Sequence, residues 1–452
     1  MTNDDQPRRG RRSAQESEPA ASSQPAPTVA RHGRLRRSRP AIVALKAVGI
    51  VAAVALVSTV SVAGIAAWSV VHEAQPSVPF TAIGPSGKAQ HKTEQITAYS
   101  GEVNMLVVAS DTRTGQGAGF DDAANQAASS GVGNNDTNLL IHINEDHTSM
   151  AVISLPRDLE VPLPACKNDS GGTTPASSLG MLNTSLGRGG VKMGLQCVAT
   201  TVASLTGVQI DYAAMVKFDG VVKMTTAVGG VTVCLATPLV DPNTDPPLNI
   251  PTAGPHVFKG KEAGAFLRTR EGVGFGGDTA RISNQQVFMS ALMRKIVNGG
   301  VLSNPVQLYN LSSTALKSVQ KSSSLTAPTL VKIGVAVKSI GLDNIVFFQY
   351  PSVDDPADAN RLIPDPAGVT ALKAALVSNQ AITLAPGSLG QSAQLATPSA
   401  SSSATSAPAA PATPKSSSAS KAPAPRKTAA VLPGTATGQS AAQETCTAKK
   451  AY

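Results

Sequence analysis

Residues 265–292, AFLRTREGVGFGGDTARISNQQVFMSAL, set the reading of the whole chain. Arg268 and Arg270 lie two apart, so an extended backbone projects both from one side. A glycine-rich turn follows, and then Asp278 as the N-cap of a helix that stops at Asn298-Gly299-Gly300. On that helix Asp278, Arg281, Gln285, Phe288 and Leu292 share a single face. The apolar half of the face belongs in a core, and it carries the acid, the arginine and the amide inward with it. Charges at a helix N-terminus beside two further arginines make a pocket for a ligand with several negative charges, such as a diphosphate. A structural Asp-Arg network is the plainer alternative.

Working outward, strands and helices alternate. The run 104–109 is an apolar strand that ends in Ser110-Asp111-Thr112-Arg113. Residues 138–144 and 149–155 are β-rich and joined by a turn, so they pair as an antiparallel hairpin whose end delivers Pro156-Arg157-Asp158. Helical patterns over 192–205, 220–227, 305–318, 327–339 and 366–377 interleave with strands near 210–218, 231–235 and 344–350. The expected fold class is α/β, a three-layer α/β/α sandwich with a central mixed sheet, over residues 102–385. No internal repeat is visible.

The 452 residues carry a net charge of +9, concentrated in nine arginines between Arg8 and Arg39. A basic excess points to nucleic acid when aromatics interleave with it; here none do, and no nucleic-acid partner is expected. The arginines instead precede an uncharged apolar run of about 25 residues, 47–71, long enough to cross a bilayer. We therefore expect a disordered basic cytoplasmic segment at 1–40, one transmembrane helix within 41–71 and a polar linker at 72–101. By the positive-inside rule everything beyond lies outside the cytoplasm. The expected location is the cell membrane, single-pass, with the N-terminus cytoplasmic. All four cysteines fall on the outer side, where disulfides persist, and Cys166 with Cys197 is the favoured pair. Residues 386–452 are rich in Ser, Ala, Pro and Thr and read as a disordered tail.

Three loops can converge on the arginine helix: one with Asp111 and Arg113, one with Asp136 and Thr137, one with Arg157 and Asp158. Two carboxylates at neighbouring strand ends are a hard oxygen site that suits Mg²⁺ held partly by phosphates and water. Asp136 taken alone reads as a turn or capping residue. The Ser110-Asp111 pair lacks the GxSxG elbow of a hydrolase, and the loop after Gly115 lacks the Lys-Ser/Thr ending of a phosphate-cradling P-loop.

In this order, NMLVVASDTR (104–113), Asp136-Thr137, SLPRD (154–158), Leu182-Asn183, Thr206-Gly207 with Asp211, Gly229-Gly230-Val231, Arg268-Thr269-Arg270, Asp278-Thr279-Ala280-Arg281 and Gln285 resemble the LytR-CpsA-Psr family. The resemblance implies a membrane-anchored, extracytoplasmic phosphotransferase that moves a glycopolymer from a polyprenyl diphosphate carrier onto peptidoglycan. It implies an α/β/α domain with a hydrophobic channel for the prenyl chain. Asp111 and Asp136 match the family's Mg²⁺-associated acids. Arg157, Arg268, Arg270 and Arg281 match its diphosphate-binding arginines, with Arg113 beside them and with Gln285 and Asp278 in support. Catalysis would then fall to Asp111, Arg157, Arg268, Arg270, Asp278 and Arg281, with Asp278 or Asp111 taking the acceptor's proton. Met181 stands where the family often has a basic residue, and Asn284 where it often has arginine. Two other readings use the same pocket: a non-catalytic wall-polymer-binding or regulatory protein, and a polyprenyl pyrophosphatase.

Overall fold

The computed structural model describes residues 77–89, 100–114, 131–396 and 428–451, with 123, 127 and 129 between them. The expected transmembrane helix within 41–71 lies outside the described residues, as does the basic segment before it. Among the described residues no helix is long and apolar enough to cross a membrane.

The strands that position the site are β1 (Ser77–Val78), β2 (Val103–Ser110), β3 (Asn135–Ile143), β4 (Met150–Leu155), β5 (Tyr212–Val216), β6 (Val231–Leu235), β7 (Gly254–Phe258), β8 (Val319–Ser322), β9 (Ile345–Gln349), β10 (Ala393–Leu395), β11 (Gly438–Ser440) and β12 (Thr445–Thr447). The helices are α1 (Ser185–Thr206), α2 (Phe218–Ala227), α3 (Gly260–Arg268), α4 (Gly277–Asn298), α5 (Pro305–Lys317), α6 (Ala327–Ile340) and α7 (Pro366–Val377). The main sheet runs β1-β8-β5-β2-β3-β4-β9-β11. It is mixed: β2 pairs antiparallel with β3 and parallel with β5, while β4 pairs antiparallel with β3 and parallel with β9.

Apolar side chains leave both faces of the central strands, which is why these read as nearly continuous apolar runs. Leu106, Val108, Leu140, Ile153 and Phe348 point to one face and meet Val198 and Val202 of α1 and Leu372 and Leu376 of α7. Met105, Ile143, Val152 and Phe347 point to the other and meet Leu308 and Leu316 of α5 and Ile333 and Val337 of α6. Helices therefore cover both faces of a central mixed sheet. A second sheet, β7-β6-β12-β10, packs against α3 and α4 through Phe258, Phe266 and Phe288. Phe258 and Phe266 stack with centroids 4.0 Å apart.

Three expectations need correction. The stretch to Arg268 is not extended: Ala263, Ala265 and Phe266 are buried by the second sheet, and that burial holds α3 helical although Gly260 and Gly264 are poor helix formers. The linker is not wholly separate, because Val78 and Ile83 are buried in the first core and Ile83 exchanges backbone hydrogen bonds with Ile210. The tail is not disordered throughout. Residues 428–451 add β11 to the main sheet and slot β12 between β6 and β10.

Two disulfides close the described residues, the expected Cys166–Cys197 and a second, Cys234–Cys446, across 212 positions. The second fastens β12 to β6 side by side, since Cys234 and Cys446 are register partners. Cys446→Ser is expected to lower unfolding stability by about 2–5 kcal/mol, the usual cost of losing a native bridge. Equilibrium denaturation checks this, and an unchanged midpoint would mean that pairing alone holds the strand.

Candidate functional site

The site forms where β2 and β4 end and β3 begins, beside the N-terminus of α4. Asp136 is the second residue of β3, and Arg157 follows β4 in a loop pinned from below: the Asn183 N–H donates to the Arg157 carbonyl at 3.0 Å. Arg157 Nη1 donates to Asp136 Oδ1 at 2.9 Å, and its Nε lies 3.3 Å from both Asp158 Oδ2 and Asp278 Oδ1. Arg281 Nη2 stands 2.5 Å from Asp278 Oδ1 and also donates to the Asp136 carbonyl at 2.9 Å. Arg270 closes the ring, 3.8 Å from Asp136 and 3.9 Å from Asp278. Three guanidinium groups thus surround two carboxylates, the five side chains coming from four segments: β3, the loop after β4, the loop after α3, and α4.

Asp278 is not the N-cap. Gly276 holds that position and α4 begins at Gly277, both with positive φ, so Asp278 falls in the first turn with its side chain free to face the arginines. Both of its oxygens are shut off from solvent and, despite their ion pairs, accept no hydrogen bond in good geometry. Burial pushes the Asp278 carboxyl above the ordinary aspartate range, and Arg281 and Arg157 oppose that only in part. Burial also lowers Arg281, with Asp278 working against it. For Arg157 burial acts downward too, but Asp136 and Asp278 outweigh it and raise the group.

Arg268 and Arg270 do not share a side. Arg268 ends α3, lies 4.5 Å over the Phe218 ring and donates to the carbonyls of Gly264 and Asp245. It lines a cavity of about 370 Å³ whose other walls include Val107, Val221, Leu267 and Met289. Arg270 lines a second, polar cleft together with Arg157 and Asp278. Burial lowers Arg268, Asp245 opposes this, and the nearby charge of Arg113 adds to it.

The apolar cavity follows α4. Arg281 and Gln285 line it, then Phe288, Leu292 and Ile296. The fifteen steps from Arg281 to Ile296 cover about 22 Å of helix, so the cavity is charged near the start of α4 and apolar toward its end. Four of the five residues of the helix face read from sequence form this lining, with Gln285 held by its bond to the Leu267 carbonyl at 2.9 Å, while Asp278 lines the polar cleft instead. Asn284, on another face, donates to the Phe266 carbonyl at 2.7 Å and accepts from Thr447, which ties α4 to α3 and β12.

Asp111 sits apart from the ring of charges. Its Oδ1 accepts from the Asn134 N–H at 2.7 Å and Ser129 Oγ at 3.0 Å, leaving Oδ2 with one long contact to Asn134 Nδ2 at 3.4 Å. A Cβ on Gly133 would come within 2.5 Å of Asp111 Oδ1, so this close approach needs glycine. Among the described residues no group of three or more His, Cys, Asp or Glu is placed to hold a metal. Asp111 and Asp136 stand at adjoining strand ends, Asp136 with three arginines around it. Sequence reading missed Asp158 as an Arg157 partner and missed the cleft bordered by the hairpin Ser352–Asp355 and Asp358–Pro364. The Asp-, Asn- and Arg-rich run 354–361 was the available signal.

A model of the LytR_cpsA_psr family matches residues 81–376. Among curated relatives, a probable cell wall biosynthesis protein, LcpB, of Corynebacterium glutamicum is 31% identical over 48% of this chain and 48% of its own. The cell wall biosynthesis protein LcpA of the same organism is 29% identical over 49% of this chain and 45% of its own. The chain thus spans about half the length of the curated relatives it matches. Of solved structures, B. subtilis TagV is similar at 19% identity and a TM-score of 0.46, covering 62% of this chain and 97% of that one. A LytR-Csp2A-Psr enzyme from Actinomyces oris is 18% identical with a TM-score of 0.46, covering 68% and 96%.

Proposed function

The chain belongs to the LytR-CpsA-Psr family, and from that premise we propose that it is a membrane-anchored phosphotransferase. It moves a glycopolymer from a polyprenyl diphosphate carrier onto peptidoglycan outside the cytoplasm. The observation that carries this reading is the junction of the charged ring with the apolar cavity: Asp136, Arg268, Arg281 and Gln285 line the same space as Phe288 and Leu292. An amphiphile with an anionic head and a long apolar tail has that shape and polarity. The two disulfides suit an oxidising location.

Arg157, Arg270 and Arg281 neutralise charge on the phosphoryl oxygens, and Arg268 does so from the cavity rim. Their present partners, Asp136 and Asp278, keep them fixed before substrate arrives, so little reorganisation remains for the reaction. Asp278 is the better of the two candidate bases. Its oxygens accept no hydrogen bond in good geometry and its proton affinity is raised, whereas Asp111 Oδ1 already accepts from Asn134 and Ser129. Asp111 and Asp136 would hold Mg²⁺, which when bound polarises the phosphate and offsets the charge of the leaving group.

The test uses the full chain in detergent with a prenyl diphosphate-linked sugar, following prenyl phosphate release with Mg²⁺ or with EDTA. Release that needs Mg²⁺ and falls at least tenfold in Asp111→Ala is the expected result. Tight binding without release, in the presence of peptidoglycan fragments, would favour the regulatory reading. Release of equal rate with and without acceptor would favour a pyrophosphatase. A base works deprotonated, so activity is present above the Asp278 pKa and lost as pH falls through it. Because that pKa is raised, the acid limb of kcat/KM should lie above the ordinary aspartate range. Asp278→Asn should remove the limb and cost about 10²–10⁴ in rate.

A further inference from the structure

Beside the cavity that follows α4 lies the polar cleft, about 610 Å³, and the two have no lining residue in common. What stands between them is the ring of ion pairs: Arg281 on the cavity side is 2.5 Å from Asp278 on the cleft side, and Asp136 on the cavity side is 2.9 Å from Arg157 on the cleft side. In an in-line displacement at phosphorus the entering and leaving oxygens lie on opposite sides. With the prenyl phosphate leaving toward the cavity, the entering hydroxyl comes from the cleft.

The lining of the cleft matches carbohydrate. Phe275 presents a ring that is 38% exposed, with Lys450 Nζ 5.8 Å from its centroid, and the exposed part of the ring is a flat surface for the C–H face of a sugar. Around it stand Asp354, Asn360, Arg361 and Gln391, whose planar forked groups can engage neighbouring hydroxyls or an N-acetyl group. These residues are held to the site from two sides. The Leu362 N–H donates to the Asp158 carbonyl at 3.2 Å, and Gly274 exchanges backbone hydrogen bonds at 2.7 Å with Ala448 and Lys450. Asp278 lines this cleft, and neither of its oxygens accepts a hydrogen bond.

We propose that this cleft is the acceptor subsite, that it takes a glycan of N-acetylhexosamine units, and that Phe275 and Arg361 determine acceptor affinity. The inference rests on the transferase reading above. The acceptor hydroxyl oxygen forms a new bond to the phosphorus that carries the glycopolymer. The bond from that phosphorus to the bridging oxygen breaks, its electron pair leaves on the prenyl phosphate, and the hydroxyl proton passes to Asp278.

The experiment has two arms, both on the full chain in detergent. In the first, chitotetraose is titrated as acceptor against a prenyl diphosphate-linked sugar for the wild type, Phe275→Ala and Arg361→Ala. Each variant should raise KM for chitotetraose at least tenfold, with KM for the donor within twofold of the wild type. A rise in donor KM with acceptor KM unchanged would overturn the proposal and give the cleft to the donor's own sugars; no change in either would overturn it outright. In the second arm chitotetraose alone is bound, with saturation-transfer NMR as the readout. Millimolar binding by the wild type that is lost in Phe275→Ala upholds the subsite even if no transfer is ever seen, and absence of wild-type binding overturns it.

Discussion

Arg281→Lys should lower kcat/KM for the diphosphate donor by about 10²- to 10³-fold, the loss typical of removing one preorganised donor to a developing anion, or about 3–4 kcal/mol. Arg281 is 4% exposed and reaches two acids at once, with Nη2 at 2.5 Å from Asp278 and Nη1 at 3.7 Å from Asp136. A lysine keeps the charge but replaces a planar fork of five donors with a single point, so it cannot hold both acids and a phosphate. Arg281→Ala should lose at least as much activity and stability besides. It strands the buried Asp278 carboxylate near Arg157 and Arg270 alone, and breaking a buried pair costs about 3–5 kcal/mol. The comparison separates two roles that one variant would confuse. Donor turnover and a urea midpoint on both proteins make the measurement. If the lysine variant turns over within threefold of the wild type, Arg281 is a structural partner of Asp278 and not a phosphate ligand.

That ambiguity was present in the sequence, where a structural Asp-Arg network and an anion pocket read alike. The face Arg281, Gln285, Phe288 and Leu292 was legible because helical periodicity survives any tertiary context, and these four line the cavity. The β2-β3-β4 ladder was legible for a similar reason, its apolar runs being bounded by clear turns. What could not be read were features set by contacts distant in sequence. Arg268 and Arg270 looked like one pair, yet the burial of Phe266 winds α3 through Arg268 and turns the two arginines to different cavities. Asp136 alone looked like a turn residue, and only the return of the chain at Arg157, Arg270 and Arg281 gives it three charged neighbours. The segment 428–451 was hidden by the composition of the Ser-, Ala- and Pro-rich run before it. Its order comes from Cys446, from two sheets that accept its strands, and from the bond between Thr447 and Asn284. That bond also gives Asn284 a structural role where the family often places an arginine.

Gly264→Phe should separate donors by the length of their apolar tail. Gly264 sits in α3 with its neighbour Leu267 on the wall of the cavity, and a Cβ built on it meets no atom within 4 Å. The open space beside this glycine is therefore the cavity itself. Phenylalanine gains a few tenths of a kcal/mol of helix propensity over glycine, so the helix itself should form at least as well as in the wild type. A phenyl ring in the cavity denies its volume to the ligand. Burial is worth about 0.8 kcal/mol per methylene, so excluding one five-carbon isoprene unit should cost ~3–4 kcal/mol, a few hundredfold in KM for a long-chain donor. A donor too short to reach the ring would lose nothing. The measurement is KM for two prenyl diphosphate-linked sugars that differ only in chain length. An equal penalty on both would mean that the ring disturbs the nearby Arg268, whose Nε donates to the Gly264 carbonyl at 3.2 Å, and not the seat of the tail. A penalty on the long donor alone would tie the apolar cavity to the prenyl chain by a route that leaves the charged ring untouched.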